Sequence, residues 1–242
     1  MFLTGTILNV AAVVLGTTVG LIVGARMPER IQQTLINGLG LFTIAVGLAL
    51  SLRFMLEPDR PVADDLAVLG GLLGGAVIGE LLRLADRLDA LGAWFQRRLA
   101  RGERPSRVSE AFVTASIVFC VGPLTILGSI QNGLTGDIQL LAVKSLLDGI
   151  AAIAFAAALG AGVYLSAATV LVVQGGISVA ALLLGANLDP RLVAAASVVG
   201  GLLLVGVGLR LLEIRDIRVV NFLPGLILAP LLVSLVQLLG LG

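Results

Sequence analysis

Histidine is absent from the 242 residues, and cysteine, tryptophan and tyrosine occur once each. Without histidine there is no serine–histidine or cysteine–histidine dyad and no His-Glu-x-x-His zinc helix, and most transition-metal sites are excluded. One cysteine makes no intramolecular disulfide, and with three methionines it argues against a carrier of soft metals. Charge is scarce: 13% of residues are Asp, Glu, Lys or Arg, against about 25% in soluble domains. No Gly-x-x-x-x-Gly-Lys-[Ser/Thr] run occurs, so any uphill work must draw on an ion gradient or a partner. A net charge of +1 gives no reason to expect nucleic acid as a partner.

What the chain has in abundance is apolar surface, with 58% hydrophobic residues and a mean hydropathy of +1.08. That composition excludes a soluble domain and a disordered chain, and leaves an all-α polytopic membrane protein whose first partner is the lipid bilayer. A helix needs about 20 apolar residues to cross the hydrocarbon. Eight stretches qualify: Leu3–Gly24, Ile31–Leu52, Asp65–Leu84, Ser109–Gly133, Ile138–Leu165, Ser166–Gly185, Leu192–Leu211 and Val219–Leu239. The first has no basic leader and no cleavage site, and is read as a retained span rather than a signal peptide. The whole of 1–242 reads as a single transmembrane domain.

Arginine sets the orientation. Loops after odd-numbered spans carry twelve arginines, including Arg83, Arg87, Arg97, Arg98, Arg101, Arg104 and Arg107, whereas loops after even-numbered spans carry only Arg53, Arg60 and Arg191. The positive-inside rule then places both termini outside the cytoplasm. Within this topology, residues 85–107 form a cytoplasmic amphipathic segment. Leu88, Leu91, Phe95 and Leu99 fall at helical spacing, with Trp94 beside them and arginines opposite, as suits a helix lying on the leaflet.

An internal match appears at a shift of 161. Gly24, Ala25, Arg30, Gly40, Val46, Gly47 and Leu48 are identical to Gly185, Ala186, Arg191, Gly201, Val207, Gly208 and Leu209, without a gap. The matched hairpins are spans one–two and six–seven, five spans apart, so the expected repeat is inverted, over these hairpins or over spans one–three against six–eight. Inverted repeats around a midplane site are a common build of secondary transporters. Glycines at three- and four-residue spacing, Gly16, Gly20 and Gly24 in span one and Gly71, Gly75 and Gly79 in span three, make flat faces for close packing. Packing within the chain is the first use expected of them, and a homodimer the second.

The chemistry-bearing residues lie in spans four to six. In Phe119-Cys-Val-Gly-Pro-Leu-Thr-Ile-Leu-Gly-Ser-Ile-Gln-Asn-Gly133, Pro123 removes a helical donor from the Phe119 carbonyl, and a helix broken near mid-span is expected there. Beyond it Thr125, Ser129 and Asn132 share one face, with Gln131 alongside. Span five carries Lys144 and, one turn later, Asp148, which at about 1.5 Å per residue lies about 15 Å from the start of the span. An aspartate at that depth costs about 2.5–3.5 kcal/mol, and Lys144 is its obvious partner. Gln174 in span six is also near mid-depth. Asn9, Asn37, Ser178 and Ser197 are assigned to interhelical hydrogen bonding, and Glu80, Glu110, Asn221 and Arg210 to solvated span ends.

These same residues carry a resemblance. Gly5-Thr-Ile-Leu-Asn-Val10 with Gly16, Gly20 and Gly24, the Phe119–Gly133 run, Lys144-Ser-Leu-Leu-Asp-Gly149 and Gln174 resemble the bacterial YqgA/YdfK family, a domain of unknown function, over essentially the whole chain. The resemblance implies a bacterial inner-membrane protein and carries over no activity and no functional residues. Asn132 stands where many relatives would have aspartate. The residues themselves point to a secondary transporter or channel for a small ion or polar solute. Its site would be built from Pro123, Thr125, Ser129, Gln131, Asn132, Lys144, Asp148 and Gln174. The alternative is a non-transporting scaffold or subunit of a larger assembly. With no histidine and a single deep aspartate, no enzyme and no cofactor are expected.

Overall fold

The computed structural model describes residues 3–26, 28–56, 61–87, 90, 105–120, 123–184 and 189–240, and among them there are helices and turns but no strand. In chain order the helices are α1 (Thr4–Gly24), α2 (Glu29–Met55), α3 (Val62–Leu81), α4 (Pro105–Cys120), α5 (Pro123–Thr135), α6 (Gln139–Leu159), α7 (Val163–Leu184), α8 (Pro190–Leu211) and α9 (Gly225–Leu238), the last preceded by a 3-10 turn at Val219–Phe222. Among the described residues seven segments are long and apolar enough to cross a membrane; α4 and α5, bent by 61° relative to each other, bring the number to eight if they count as one span. Most of the amphipathic segment 85–107 lies outside the described residues, as do Gly185 and Ala186 of the internal match.

Two boundaries differ from the sequence reading. The break expected at Leu165/Ser166 falls earlier: α6 stops at Leu159, Gly160 takes φ 92°, and α7 starts at Val163. Only glycine adopts that dihedral without strain, so the turn is set by backbone chemistry that an uninterrupted apolar run conceals. The last stretch, expected as one helix from Val219, begins as a 3-10 turn and becomes α-helical only after Pro224. Proline lacks an N–H and is suited to a helix start rather than an interior.

The chain divides into two compact units, one of residues 1–39 and 88–187, the other of residues 40–87 and 188–242. In the first, α1 lies along α6 at glycine-limited distance. Gly16 faces the Gly149 carbonyl and Gly20 that of Ile153, and a Cβ on Gly24 would stand 2.7 Å from the Ala157 oxygen. Contact numbers rise together, so α1 and α6 run parallel. The Val108 carbonyl abuts Gly162, Ser116 Oγ donates to Thr169 Oγ1 at 3.1 Å, and Ser178 Oγ donates to the Ser129 carbonyl at 2.9 Å. Hence α4 and then α5 follow α7 in one direction. The Thr18 and Tyr164 hydroxyls pair at 2.8 Å near one end and Thr6 meets Gly175 near the other, so α1 opposes α7.

In the second unit, α2 crosses α8 through four glycines. A Cβ on Gly47 would lie 2.5 Å from the Gly201 oxygen and 2.9 Å from the Val205 nitrogen; one on Gly208 would lie 2.7 Å from the Gly40 oxygen and 3.1 Å from the Ile44 nitrogen. On α3, Gly71, Gly75 and Gly79 seat Ala229, Gly225 and Asn221. Both glycine stripes expected to mediate close packing are therefore covered within their own unit. Between α3, α8 and α9 lies an apolar core of Ala67, Val68, Ala195, Val198, Val199, Ala229 and Val233. At one end Arg191 donates to buried Asp64 Oδ2 at 2.7 and 3.2 Å. Asn221, expected to be solvated, is buried: its amide donates to Glu80 and accepts from the Ala85 N–H, because Gly79 lets the turn settle onto α3.

Asp189 caps α8. It accepts from the Arg191 N–H at 2.8 Å and from Gln237 Nε2 at 2.8 Å, and these bonds, the backbone one first, hold its carboxyl below the usual carboxylate range. A carboxylate whose folded pKa is depressed stabilises above its unfolded pKa, and that contribution fades as pH falls through the folded value. The loss of melting temperature in Asp189→Ala should accordingly hold from neutral pH down to the ordinary carboxylate range and shrink only in stronger acid. Gly16→Ala, which forces a methyl into the α6 backbone, should cost about 1–3 kcal/mol. Gly38→Ala, with open space around it, should be neutral or stabilise by about 0.5–1 kcal/mol, both read by thermal unfolding in detergent.

Candidate functional site

The first unit is turned inside out relative to a soluble protein. Leu15, Leu146 and Val172 are 66%, 67% and 71% exposed, whereas Thr6, Asn9, Ser129, Asn132 and Gln174 are all 0% exposed. An apolar exterior and a polar interior are what a hydrocarbon solvent imposes.

At the centre of the polar interior is the pair on α6. Lys144 Nζ donates to both oxygens of Asp148, at 2.9 and 2.8 Å, and the two side chains are 6% and 8% exposed. The i,i+4 spacing lets one helix face bring them together. A third donor arrives from α1: Asn9 Nδ2 reaches Asp148 Oδ2 at 2.8 Å. Ser145 is not part of this network, since its hydroxyl folds back on the Leu141 carbonyl at 2.6 Å.

The other predicted residues separate into two groups. Thr125 Oγ1 donates to the Phe119 carbonyl at 3.2 Å, replacing the donor that Pro123 lacks, so its proton serves the helix end rather than a ligand. Pro123 begins α5, and its side chain lies outside the described residues. Gln131 turns away to Asp137, donating at 2.6 Å near the end of α5. By contrast, Ser129 and Asn132 face inward. Asn132 Oδ1 accepts from the Gly5 N–H at 3.3 Å, and Ser178 ties α7 to the Ser129 carbonyl. Gln174, one turn before Ser178 on the same face of α7, is fully buried, and a Cβ on its neighbour Gly175 would stand 3.9 Å from Thr6 of α1.

Two participants escaped the sequence reading. Asn9 was assigned to generic interhelical bonding, and Thr6 was not singled out; the signal available was their placement on one face of an otherwise apolar span. The consequence is a layer where α1, α5 and α7 meet beside the α6 pair, and it is incompletely hydrogen-bonded. Thr6 Oγ1, Asn9 Oδ1, Ser129 Oγ, Asn132 Nδ2 and both amide atoms of Gln174 are buried without a partner among the described residues. A buried amide or hydroxyl without a partner costs about 1–3 kcal/mol. Among the described residues no three of His, Cys, Asp and Glu come together as a metal site would require.

Long helices with leucines outward and paired charges inward define a multi-pass helical membrane protein. The chain belongs to the family described as "Protein of unknown function (DUF554)", whose profile matches residues 4–234. It is similar to the protein YqgA of Escherichia coli (strain K12), 35% identical over 229 residues covering 93% of this chain and 94% of that one. It is also similar to YdfK of Bacillus subtilis (strain 168), described as a membrane protein, 28% identical over 238 residues and 98% of each chain. No solved structure matches.

Removing one partner of a buried ion pair leaves an uncompensated charge. Lys144→Met should therefore destabilise by about 3–5 kcal/mol, while the double change Lys144→Met with Asp148→Leu should recover most of that loss. Thermal unfolding of the four proteins of this cycle in detergent measures the coupling.

Proposed function

We propose that the protein is a secondary transporter or channel that moves a small ion or small polar solute across the bacterial cytoplasmic membrane. The observation that carries this reading is the buried, incompletely hydrogen-bonded polar layer beside Lys144 and Asp148. Polar groups embedded in hydrocarbon are costly and line substrate paths or proton relays. A purely structural network would close its own hydrogen bonds, as the Thr125–Phe119 contact does.

The crossing pattern supports it. Since α1 and α6 run parallel, taking α2 and α3 to cross once each gives α4 and α5 together one crossing. That favours one crossing, broken between Cys120 and Pro123, over a re-entrant hairpin. Broken helices beside a polar cluster are a recurring element of transporter sites.

The inverted repeat finds support in contacts as well as letters. At a shift of 161, Gly40 corresponds to Gly201, Ile44 to Val205 and Gly47 to Gly208. The contact of Gly47 with the Gly201 carbonyl and Val205 nitrogen is thus mirrored by that of Gly208 with the Gly40 carbonyl and Ile44 nitrogen. Reciprocity of this kind belongs to a two-fold relation. The inward positions of α1 and α7 keep the same register: Thr6, Asn9, Val13, Thr17 and Gly20 are buried, and so are Ala167, Val170, Gln174, Ser178 and Ala181. Two halves of opposite orientation could exchange roles between inward- and outward-facing states.

We place both termini outside the cytoplasm, from the arginine distribution. A C-terminal reporter active only in the periplasm should light up in cells, and a cytoplasmic one should stay dark. For transport itself, the purified protein in sealed vesicles should conduct at least one of a panel of ions and small polar solutes above empty vesicles. Asp148→Asn keeps the shape and the Asn9 contact but strips Lys144 of its counter-charge, so it should melt below the wild type and, in the fraction that stays folded, lose that flux. A wild-type protein that conducts nothing would favour a scaffold; a fully active Asp148→Asn would dismiss the pair as part of the path.

A further inference from the structure

The unpartnered atoms of the polar layer carry more information than their existence. We infer that the layer in the first unit binds an uncharged solute that both donates and accepts hydrogen bonds, of the amide, urea or small-polyol class, and not a bare ion. The inference rests on the transport reading and specifies its substrate class.

Two of the three carboxamides have their orientation fixed by their neighbours. Asn9 must turn its NH2 to the Asp148 carboxylate, 2.8 Å away, which leaves Oδ1 as a free acceptor. Asn132 must turn its oxygen to the Gly5 N–H at 3.3 Å, which leaves Nδ2 as a free donor. Neither assignment depends on telling oxygen from nitrogen by shape, because the opposite flip sets oxygen against carboxylate or NH2 against N–H. Gln174 offers one donor and one acceptor in either flip, and both are unpartnered. The Thr6 and Ser129 hydroxyls are free to act either way. Elsewhere on these helices the hydroxyls of Thr17, Thr18, Ser145 and Ser166 donate to the carbonyls of Val13, Val14, Leu141 and Val163 one turn earlier, so the freedom of Thr6 and Ser129 is local to the layer.

A dehydrated cation asks for a shell of oxygens and is repelled by the NH2 groups of Asn132 and Gln174. An anion asks for donors and is repelled by the Asn9 and Gln174 oxygens. Among the described residues the formal charges at the layer, Lys144 and Asp148, close on each other at 2.8 Å and leave no net charge to compensate an ion. Donors and acceptors in balance, with charge cancelled, match a neutral molecule that has both. The carboxamides of Asn9, Asn132 and Gln174 can each engage it as they would engage another amide.

The test uses the full-length protein in vesicles, with urea, acetamide and glycerol entry followed by light scattering, and sodium, potassium and chloride movement by ion-sensitive dyes. Entry of at least one neutral probe above empty vesicles is expected, with no ion movement. Gln174→Leu removes one donor and one acceptor and should lower that entry about tenfold, the cost of one lost buried hydrogen bond. Gln174→Glu should lower it too, by adding an uncompensated charge, and either variant that melts like the wild type reports on the site rather than on folding. Ion movement without neutral entry would overturn this inference and leave the transport reading standing. Neutral entry unchanged in a folded Gln174→Leu would overturn the site assignment, and no movement of either class would overturn both readings.

Discussion

The bond between Lys144 and Asp148 is the constraint around which the first unit is arranged. Neither charge is tolerable alone at that depth of an apolar bundle, and together they still leave lone pairs that must be satisfied. Asn9 supplies the third donor, and to do so α1 must lie close to α6 along its length. Gly16, Gly20 and Gly24 make that approach possible by leaving room for carbonyl oxygens where side chains would otherwise stand. Once α1 is fixed, the Gly5 N–H meets Asn132 and Thr6 meets Gly175, which draws α5 and α7 to the same level. A charge pair on one helix thereby determines where three others pack.

Close packing without a hydrophobic driving force explains the rest of the glycine usage. In lipid, helices gain little by hiding leucine, so association relies on backbone contact and on polar bonds. The second unit shows the same economy: α3 meets α9 through Gly71, Gly75 and Gly79, and α2 meets α8 through Gly40, Gly47, Gly201 and Gly208. Its charges are settled at the ends, by Arg191 on Asp64 and by Asn221 on Glu80. The core where α3, α8 and α9 meet is built of alanine and valine, with leucines packed around it.

Much of this was legible in the sequence, for reasons that can be stated. Span positions follow from apolar length, and the Lys144–Asp148 pair follows from helical spacing. Proline chemistry foretold which carbonyl would lose its donor at Pro123, though not that Thr125 would supply a substitute. Breaks at Gly160 and Pro224 were displaced because runs of apolar residues give no sign of where the backbone changes direction. Thr125, Gln131, Ser129 and Asn132 looked alike as polar residues on one short stretch. Their fates differ because Thr125 can reach Phe119 and Gln131 can reach Asp137, whereas Ser129 and Asn132 face helices from elsewhere in the chain. Asn9 was undervalued for the same reason: its importance comes from a partner 139 residues away.

The segments matched at the shift of 161 share glycines at corresponding positions and differ in their polar residues. Asn9 corresponds to Val170, Thr6 to Ala167, and Gln174 to Val13; all six positions are buried. At these positions each matched segment carries a polar side chain where its counterpart is apolar, so the polar layer does not repeat at that shift. The charged pair and the Ser129–Asn132 face come from α5 and α6, which have no counterpart at that shift. A symmetric site would offer a solute the same groups from both sides. This one presents hydroxyl, amide oxygen and amide NH2 from three different helices, so a molecule held there as proposed would meet different groups at its two ends.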